Sequence, residues 1–412
     1  MDMRAYFKPK NTIPKNGKQT SAPSTEKRKA VAGIFCKQKQ KRPRPGIARV
    51  CANPRRLVTW NANGLLPRMK SYRDVNSIRL FLQEHDPDVI CIQEARIKAK
   101  CNNPKAKVGS KDRRDRTKPS DSELTQEIKN SLQVFSEYVT FWSLADGRKA
   151  GTATFVHKRL FNGEENVQVA RSVSEAIDST QEVKRAQREG RFQFIQFKDF
   201  DLVNTYVPNC GWTKEQKLVR QEWDEDMKLL LSKRKEKTSK PLIWTGDLNV
   251  AHTSFDSTNE HFFRNEWDRD SKRHSSKESY NLAIPPEDRG IPGFSDNERK
   301  RFQDLLDTGE LFDAWRKINP TSSAKFSAED AAFTWRGTPA VQNRFKARFE
   351  GMGQRLDYFL ISKSIADKLE DCKILGYGTQ RLGFLGSDHC PVILHLRSWD
   401  STEREKIKTH KT

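Results

Sequence analysis

Cysteine is sparse in this 412-residue chain: seven occur, irregularly spaced, and no two form a CxxC pair. That excludes a disulfide framework and a cysteine-ligated zinc module, and it fits free thiols in a reducing compartment. No stretch approaches the ~20 consecutive apolar residues a membrane-spanning helix needs, so no membrane partner is expected. The opening residues lack the apolar core of a secretory signal. They are basic and nearly acid-free, as a mitochondrial presequence would be, yet no amphipathic helix can be read in them. There is no GxSxG elbow, no P-loop and no Cys/His zinc spacing, so several rival chemistries lack their signatures. No internal repeat is visible. Apolar residues make up only 35% of the chain, which implies one well-cored domain diluted by polar tails and insertions.

Positive charge is what the chain has in excess. Lys and Arg number 76 against 54 Asp and Glu, a formal net charge of +22, so a polyanionic partner is expected. Residues 1–54 carry fourteen Lys/Arg against two acids and have few large apolar residues, which predicts a disordered tail. Met3 to Phe7 resembles a sliding-clamp-binding peptide, with an aliphatic residue ahead of paired aromatics but without the customary Gln. Lys27-Arg28-Lys29 and the run from Lys37 to Arg44 look like a bipartite nuclear import signal, or a basic arm that holds DNA phosphates. The expected location is therefore the nucleus, with a mitochondrion or other organelle as the alternative.

Order is expected over residues 55–397, followed by a polar tail at 398–412. Arg56–Leu65 reads as a strand ending in a polar turn and Val89–Glu94 as a buried strand, with further strands predicted at Tyr138–Trp142, Thr152–Val156, Phe192–Phe197, Leu202–Val207, Leu242–Trp244 and Lys373–Tyr377. Helices are predicted at Tyr72–Glu84, with Ile78, Leu80, Phe81 and Leu82 on the apolar face, at Lys214–Leu231, with Leu218, Val219, Trp223, Met227 and Leu230, and at Asp296–Leu306. Polar, poorly periodic insertions are expected near 98–121, 170–190, 256–290 and 336–354. Strands dominate with a few helices between them, which fits two packed sheets flanked by helices.

Chemistry concentrates at strand ends. In the run from Pro241 to His252, Gly246 is expected to let the chain turn where a buried strand stops. Asp247 and Asn249, two apart, then project from one face. A carboxylate beside a neutral donor can hold a water and a phosphate oxygen together; the same pair also occurs in ordinary polar turns. Asn61 and Asn63, Glu94, Tyr206 and Asn209, Asp357, and Asp388-His389 stand at the ends of other runs. Hydrolysing a phosphodiester needs a hard divalent ion, a group that activates water, and donors for the phosphate oxygens. Each part is present.

The motifs WNANGL, IQE, YVPN, GDLNVAH, RLDYFL and GSDHCP, in that order, resemble the exonuclease III family of apurinic/apyrimidinic endonucleases. That family belongs to the larger endonuclease/exonuclease/phosphatase fold, a four-layered α/β sandwich of two packed mixed β-sheets flanked by helices. The resemblance covers roughly residues 55–397. It implies Mg²⁺-dependent hydrolysis (Mn²⁺ as a substitute) of the phosphodiester 5′ to an abasic site in double-stranded DNA, by a monomer, leaving a 3′-hydroxyl. A 3′-5′ exonuclease or 3′-phosphodiesterase side activity is part of the same implication. It further implies Glu94 as principal metal ligand with Asn63 and Asp388 nearby, and Asp247 and Asn249 completing the set. Asp247 orients or deprotonates the water, and His389, paired with Asp357, supplies charge or a hydrogen bond at the scissile phosphate. Asn249, Asn209 and Tyr206 contact the phosphate, Asn61 supports the cluster, and Trp335 belongs to the pocket for the base-less sugar. Trp212 stands where the animal enzyme places an Arg that enters the DNA, and it either wedges there or simply packs. Asn63 stands where some relatives have Asp. The alternatives are a lipid or inositol phosphatase of the same superfamily and a catalytically inactive DNA-binding scaffold.

Residues 98–118 hold nine Lys/Arg against two Asp and no apolar periodicity. Each phosphate they neutralise adds roughly −0.9 to the slope of log affinity against log salt on duplex DNA. Replacing Lys111, Arg113, Arg114 and Arg116 with Ser is expected to flatten that slope while sparing the single-turnover cleavage rate. A slope equal to wild type would show that this loop does not touch DNA.

Overall fold

Strict alternation of inward and outward side chains builds this molecule. The computed structural model describes residues 53–99, 126–144, 149–161, 169–179, 189–265, 285–320, 326–327, 329–337 and 349–399. The clamp-like peptide, the import signal, most of the basic 98–121 stretch, parts of the other three insertions and nearly all of the C-terminal tail lie outside the described residues.

Two mixed sheets form the centre. The first has the order β12 (Leu369–Ile374), β13 (Val392–Leu396), β1 (Arg56–Asn61), β2 (Val89–Gln93), β4 (Thr152–His157) and β3 (Tyr138–Ser143). The second runs β5 (Phe192–Gln196), β6 (Asp201–Tyr206), β7 (Leu242–Asp247), β11 (Asp357–Ser362) and β8 (Leu311–Asp313). Pairs β1–β2 and β6–β7 are parallel, and their neighbours are antiparallel. A short ribbon joins β9 (Trp335–Arg336) to β10 (Gly353–Gln354).

Helices cover both outer faces. Val58, Trp60, Ile90, Ile92 and Phe155 meet Ile78 and Phe81 of α2 (Tyr72–His85), with α1 (Leu65–Lys70) and α3 (Gln126–Ser131) alongside. On the far side Phe192, Phe194, Trp244 and Leu360 meet Trp223, Met227 and Leu230 of α5 (Lys214–Lys237), and Phe302 and Leu305 of α7 (Asp296–Gly309). Between the sheets lie Leu57, Val89, Cys91, Leu202, Ile243, Phe359 and Ile361. The result is the expected four-layered α/β sandwich. The remaining helices, α4 (Val173–Ala176), α6 (Glu260–Asn265) and α8 (Ala314–Ile318), are short.

Several local expectations change. Leu80 and Leu218 do not face the core; they are 64% and 48% exposed, because the next residues round each helix fill the buried stripe. The last strand before the final motif is Leu369–Ile374, earlier than Lys373–Tyr377. It is an edge strand whose charged Glu370, Asp371 and Lys373 hide its period, and charge at an edge discourages pairing with other chains. The 170–190 insertion starts inside the core, where Val173 and Ile177 pack against the α5 side. The 256–290 stretch likewise starts buried, since Asp256 and Phe263 are almost fully enclosed.

Along the inner face, every central strand turns from apolar to polar toward one end: Leu57, Thr59, Asn61; Cys91, Gln93; Leu202, Asn204, Tyr206; Ile243, Thr245, Asp247; Phe359, Asp357. Midway, Gln93 Nε2 donates to Asn204 Oδ1 across the sheets at 2.7 Å, and Thr154 Oγ1 donates to Gln193 Oε1 at 2.9 Å. Asn204 Nδ2 donates to the Ala153 carbonyl at 2.9 Å. These hydrogen bonds across the polar layer fix how one sheet sits on the other.

A buried ion cluster anchors the start of β11. Asp256 Oδ1 accepts from Arg355 Nε at 2.7 Å and Arg316 Nη2 at 2.5 Å, while Arg355 Nη1 lies 2.6 Å from Asp313 Oδ2. The Arg355 guanidinium also stacks 4.4 Å over the Tyr358 ring. Burial pushes the Asp256 carboxyl up, but the two guanidiniums outweigh it and bring it down to about 2 from 3.8. A depressed carboxyl stabilises the fold above its unfolded value, and that contribution fades as pH falls from about 4 toward 2. The shift corresponds to about 2 kcal/mol. Asp256→Asn is therefore expected to cost roughly 3 kcal/mol in chemical denaturation at pH 7, since it strands buried guanidiniums. The gap from wild type should narrow at pH 3; parallel stabilities at both pH values would contradict this.

Candidate active site

The polar ends of the inner-face strands converge. Asn61 Nδ2 donates to Glu94 Oε1 at 3.1 Å and to Asp247 Oδ2 at 2.8 Å, so one amide spans acids from different sheets. Asn63 donates its backbone N–H to Asn61 Oδ1 at 2.9 Å and its side-chain amide to Asp388 Oδ1 at 2.6 Å. Trp335 Nε1 donates to Asp388 Oδ2 at 3.3 Å. The Tyr206, Asp247 and Asp357 backbones lie side by side, because Asp247 is the register partner of both others. Asn249 donates to Asp247 Oδ1 through its backbone N–H at 3.0 Å, and Asn209 Nδ2 donates to Asn249 Oδ1 at 3.1 Å.

Gly246 does not turn the chain, contrary to expectation; it lies within β7. At φ 136° it lets the β6 backbone come so near that a Cβ would sit 1.9 Å from the Thr205 carbonyl. The turn comes at Asn249, with φ 49°. Asn63 and Glu94 also hold left-handed backbone, φ 45° and 46°. Such conformations cost energy and persist where surrounding hydrogen bonds impose them.

Electrostatics separate the two members of the acid–histidine pair. His389 Nδ1 and Asp357 Oδ2 are 2.8 Å apart, and His389 Nε2 lies 3.9 Å from Asp247 Oδ2. Burial alone would lower the imidazole, but Asp357 and Asp247 outweigh it and hold it up to about 10. Asp247 moves the other way from ordinary carboxylates. Burial pushes it up, Asp357 and Glu94 add to that, and His389 and the Asn61 amide only partly offset them, leaving it at about 7. Burial, with the Glu94 carboxylate nearby, keeps the Tyr206 phenol well above its usual value, so it stays a donor.

The donor set suits a hard cation. Glu94, Asp247 and Asp388 offer carboxylate oxygens and Asn63 and Asn249 offer amide oxygens, the ligands Mg²⁺-type ions take. Asp247, Asp357 and His389 also present ligand atoms within 4.8 Å of one another. His389 Nδ1 is engaged by Asp357 Oδ2 at 2.8 Å, so the trio also has the geometry of an acid–histidine pair. Asp357 Oδ1 is buried without a hydrogen-bond partner, which leaves that carboxylate's charge to His389.

Eleven of the twelve singled-out residues are linked to one another by hydrogen bonds, ion pairing or strand register, and Trp212 is the exception. Trp212 is half-buried, and together with Phe262, Trp335, Phe349 and Met352 it packs on Ala251, Phe263, Ile291, Phe294 and Leu356. Sequence reasoning missed several supporting groups. Thr334 Oγ1 accepts the backbone N–H groups of Leu356 and Asp357, at 2.9 and 3.0 Å. Ser387 Oγ donates to the Asn61 carbonyl at 2.7 Å. Arg191 lies 4.6 Å over the Tyr206 ring. Ser387 lies within GSDHCP and Gln93 within IQE, while Thr334 and Arg191 make contacts that no spacing announces.

Comparison with known proteins agrees with this geometry. The Endonuclease/Exonuclease/phosphatase family profile matches residues 58–389. A DNA-(apurinic or apyrimidinic site) endonuclease of Arabidopsis thaliana is 36% identical over 360 residues, 86% of this chain and 87% of the relative. One from Plasmodium berghei is 30% identical over 83% of this chain and 63% of its own length. The crystal structure of an AP endonuclease from Leishmania major superposes with a TM-score of 0.55 at 20% identity, covering 84% of this chain and 88% of that one, a likeness of fold. With its motif residues gathered at the open end of a two-sheet sandwich, the chain belongs to the Endonuclease/Exonuclease/phosphatase family.

Proposed function

We propose that this protein is a DNA-(apurinic or apyrimidinic site) endonuclease that hydrolyses the phosphodiester 5′ to a base-less sugar in duplex DNA. The observation that carries the reading is geometric: His389 stands buried between Asp357, 2.8 Å from its Nδ1, and Asp247, 3.9 Å from its Nε2, while the Asn61 amide ties Asp247 to Glu94. The relatives named above act on the same kind of substrate, and the excess of positive charge suits it.

In the reaction, a water oxygen bonds to phosphorus, the phosphorus–O3′ bond breaks, and the 3′ oxygen leaves as a hydroxyl. Asp247, aligned by Asn61 and Asn249, receives the water's proton; a carboxyl near neutrality is matched to that task. The departing oxygen takes a proton from solvent. His389 and the Tyr206 phenol donate to the phosphate oxygens as charge grows there, with the Asn209 and Asn249 amides beside them. Mg²⁺, or Mn²⁺ in its place, would be held by Glu94, Asn63, Asp388, Asp247 and Asn249 and would supply positive charge to the phosphate. Trp335 and the half-buried apolar side chains around it receive the sugar, where a base would not fit. Trimming of 3′ ends uses the same site. The clamp-like Met3 to Phe7 and the nuclear location extend this reading to a monomer working at replicating DNA.

The test is nicking of a duplex oligonucleotide carrying one tetrahydrofuran site. Asp247→Ala is expected to lower the single-turnover rate by roughly 10²–10⁴, and His389→Ala by roughly 10²–10³. Raised Mg²⁺ should restore neither: His389 holds no metal in this reading, and Asp247→Ala loses the group that takes the water's proton as well as a ligand. Glu94→Ala, which removes a full ligand charge, should recover in part. Equal recovery in all three would contradict these roles, and wild type that leaves the duplex intact would contradict the function.

A further inference from the structure

Arg96 has no role in the site so far described, yet its place is tightly fixed. The loop from Glu94 to Arg96 is stapled on both sides. Gly64 N–H donates to the Glu94 carbonyl at 2.8 Å and Leu65 N–H to the Ala95 carbonyl at 3.1 Å. Ala95 and Arg96 in turn donate their N–H groups to Gly151 and Ala150, both at 2.9 Å. Arg96 itself takes left-handed backbone, φ 52°, which a non-glycine residue adopts at a cost. That backbone turns its side chain back onto the acid two residues before it. Arg96 Nε donates to Glu94 Oε2 at 2.8 Å, and Nη2 donates to the same oxygen.

Those contacts use one edge of the guanidinium. A guanidinium has five N–H donors on two edges, each able to face an anion. Among the described residues no hydrogen bond engages Nη1, and the Arg96 side chain is 40% exposed against 11% for Glu94. The open edge therefore faces solvent directly outside the acidic cluster, where the acids alone would repel a DNA backbone.

We propose that Arg96 is a substrate-anchoring residue, holding Glu94 with one edge of its guanidinium and a DNA phosphate oxygen with the other. This rests on the abasic-site endonuclease reading. Shared between two anions, the guanidinium ties the position of Glu94 to that of the bound strand. Lysine could supply the charge but has no pair of fixed edges.

The test measures binding of the full chain, in EDTA so that no cleavage occurs, to a duplex with one tetrahydrofuran site over a range of monovalent salt. Arg96→Met is expected to bind about tenfold more weakly and to flatten the log–log salt slope by roughly 0.9, the loss of one phosphate contact. Arg96→Lys should keep the wild-type slope while losing several-fold in affinity. A residue that only holds Glu94 would leave the slope unchanged, so a wild-type slope in Arg96→Met overturns the proposal whatever the affinity. Circular dichroism melts of both variants check folding. Wild type that fails to prefer the tetrahydrofuran duplex over an intact one would count against the endonuclease reading instead, a result distinct from an unchanged slope.

Discussion

The side-chain amide of Asn61 is the contact on which the site depends. It belongs to the first sheet, yet it donates both to Glu94 of that sheet's loop and to Asp247 of the second. Two buried carboxylates facing each other would repel strongly. A neutral donor between them satisfies an oxygen of each without adding charge and sets their spacing by its own size. Asn63 adds a second amide, donating to Asp388 alone. The acids are thus held together by amides, which leaves their negative charge available for a cation.

Everything deeper in the sandwich supports that spacing. The inner-face gradient from aliphatic to amide to acid lets one end of the interior stay dry while the other opens to a polyanion. The Gln93–Asn204 bond pins the sheets just below the site. The Asp256–Arg355 pair fixes the chain immediately before Asp357, so the carboxylate that polarises His389 hangs from a rigid post. A buried ion pair is weak evidence of stability by itself; here its location gives it a positioning role.

Much of this could be read in the sequence. Short apolar runs with Asn61, Glu94, Tyr206, Asp247 or Asp357 at one end are local signals, and local signals survive without a structure. What failed was of another kind. The stripes point Leu80 and Leu218 inward, because a helical stripe fixes a face only to within a residue or so. Gly246 reads as a turn because glycine marks turns and close approaches alike, and only the neighbouring β6 backbone tells them apart. The strand at Leu369–Ile374 was displaced by edge charges that mask alternation. Thr334, Ser387, Arg96 and Arg191 act through partners distant in sequence or through backbone angles, which no window of residues contains.

The central claim is that a neutral amide at position 61 joins the two acid-bearing halves into one hydrolytic site. Asn61→Leu keeps the volume and removes the donor. Single-turnover incision of a tetrahydrofuran duplex in Mg²⁺, set beside a thermal melt of the same variant, measures the consequence directly. The account predicts a folded protein whose rate falls by about 10² or more, the scale of losing an aligned polar group at a reacting centre. A folded variant cutting within twofold of wild type would contradict it.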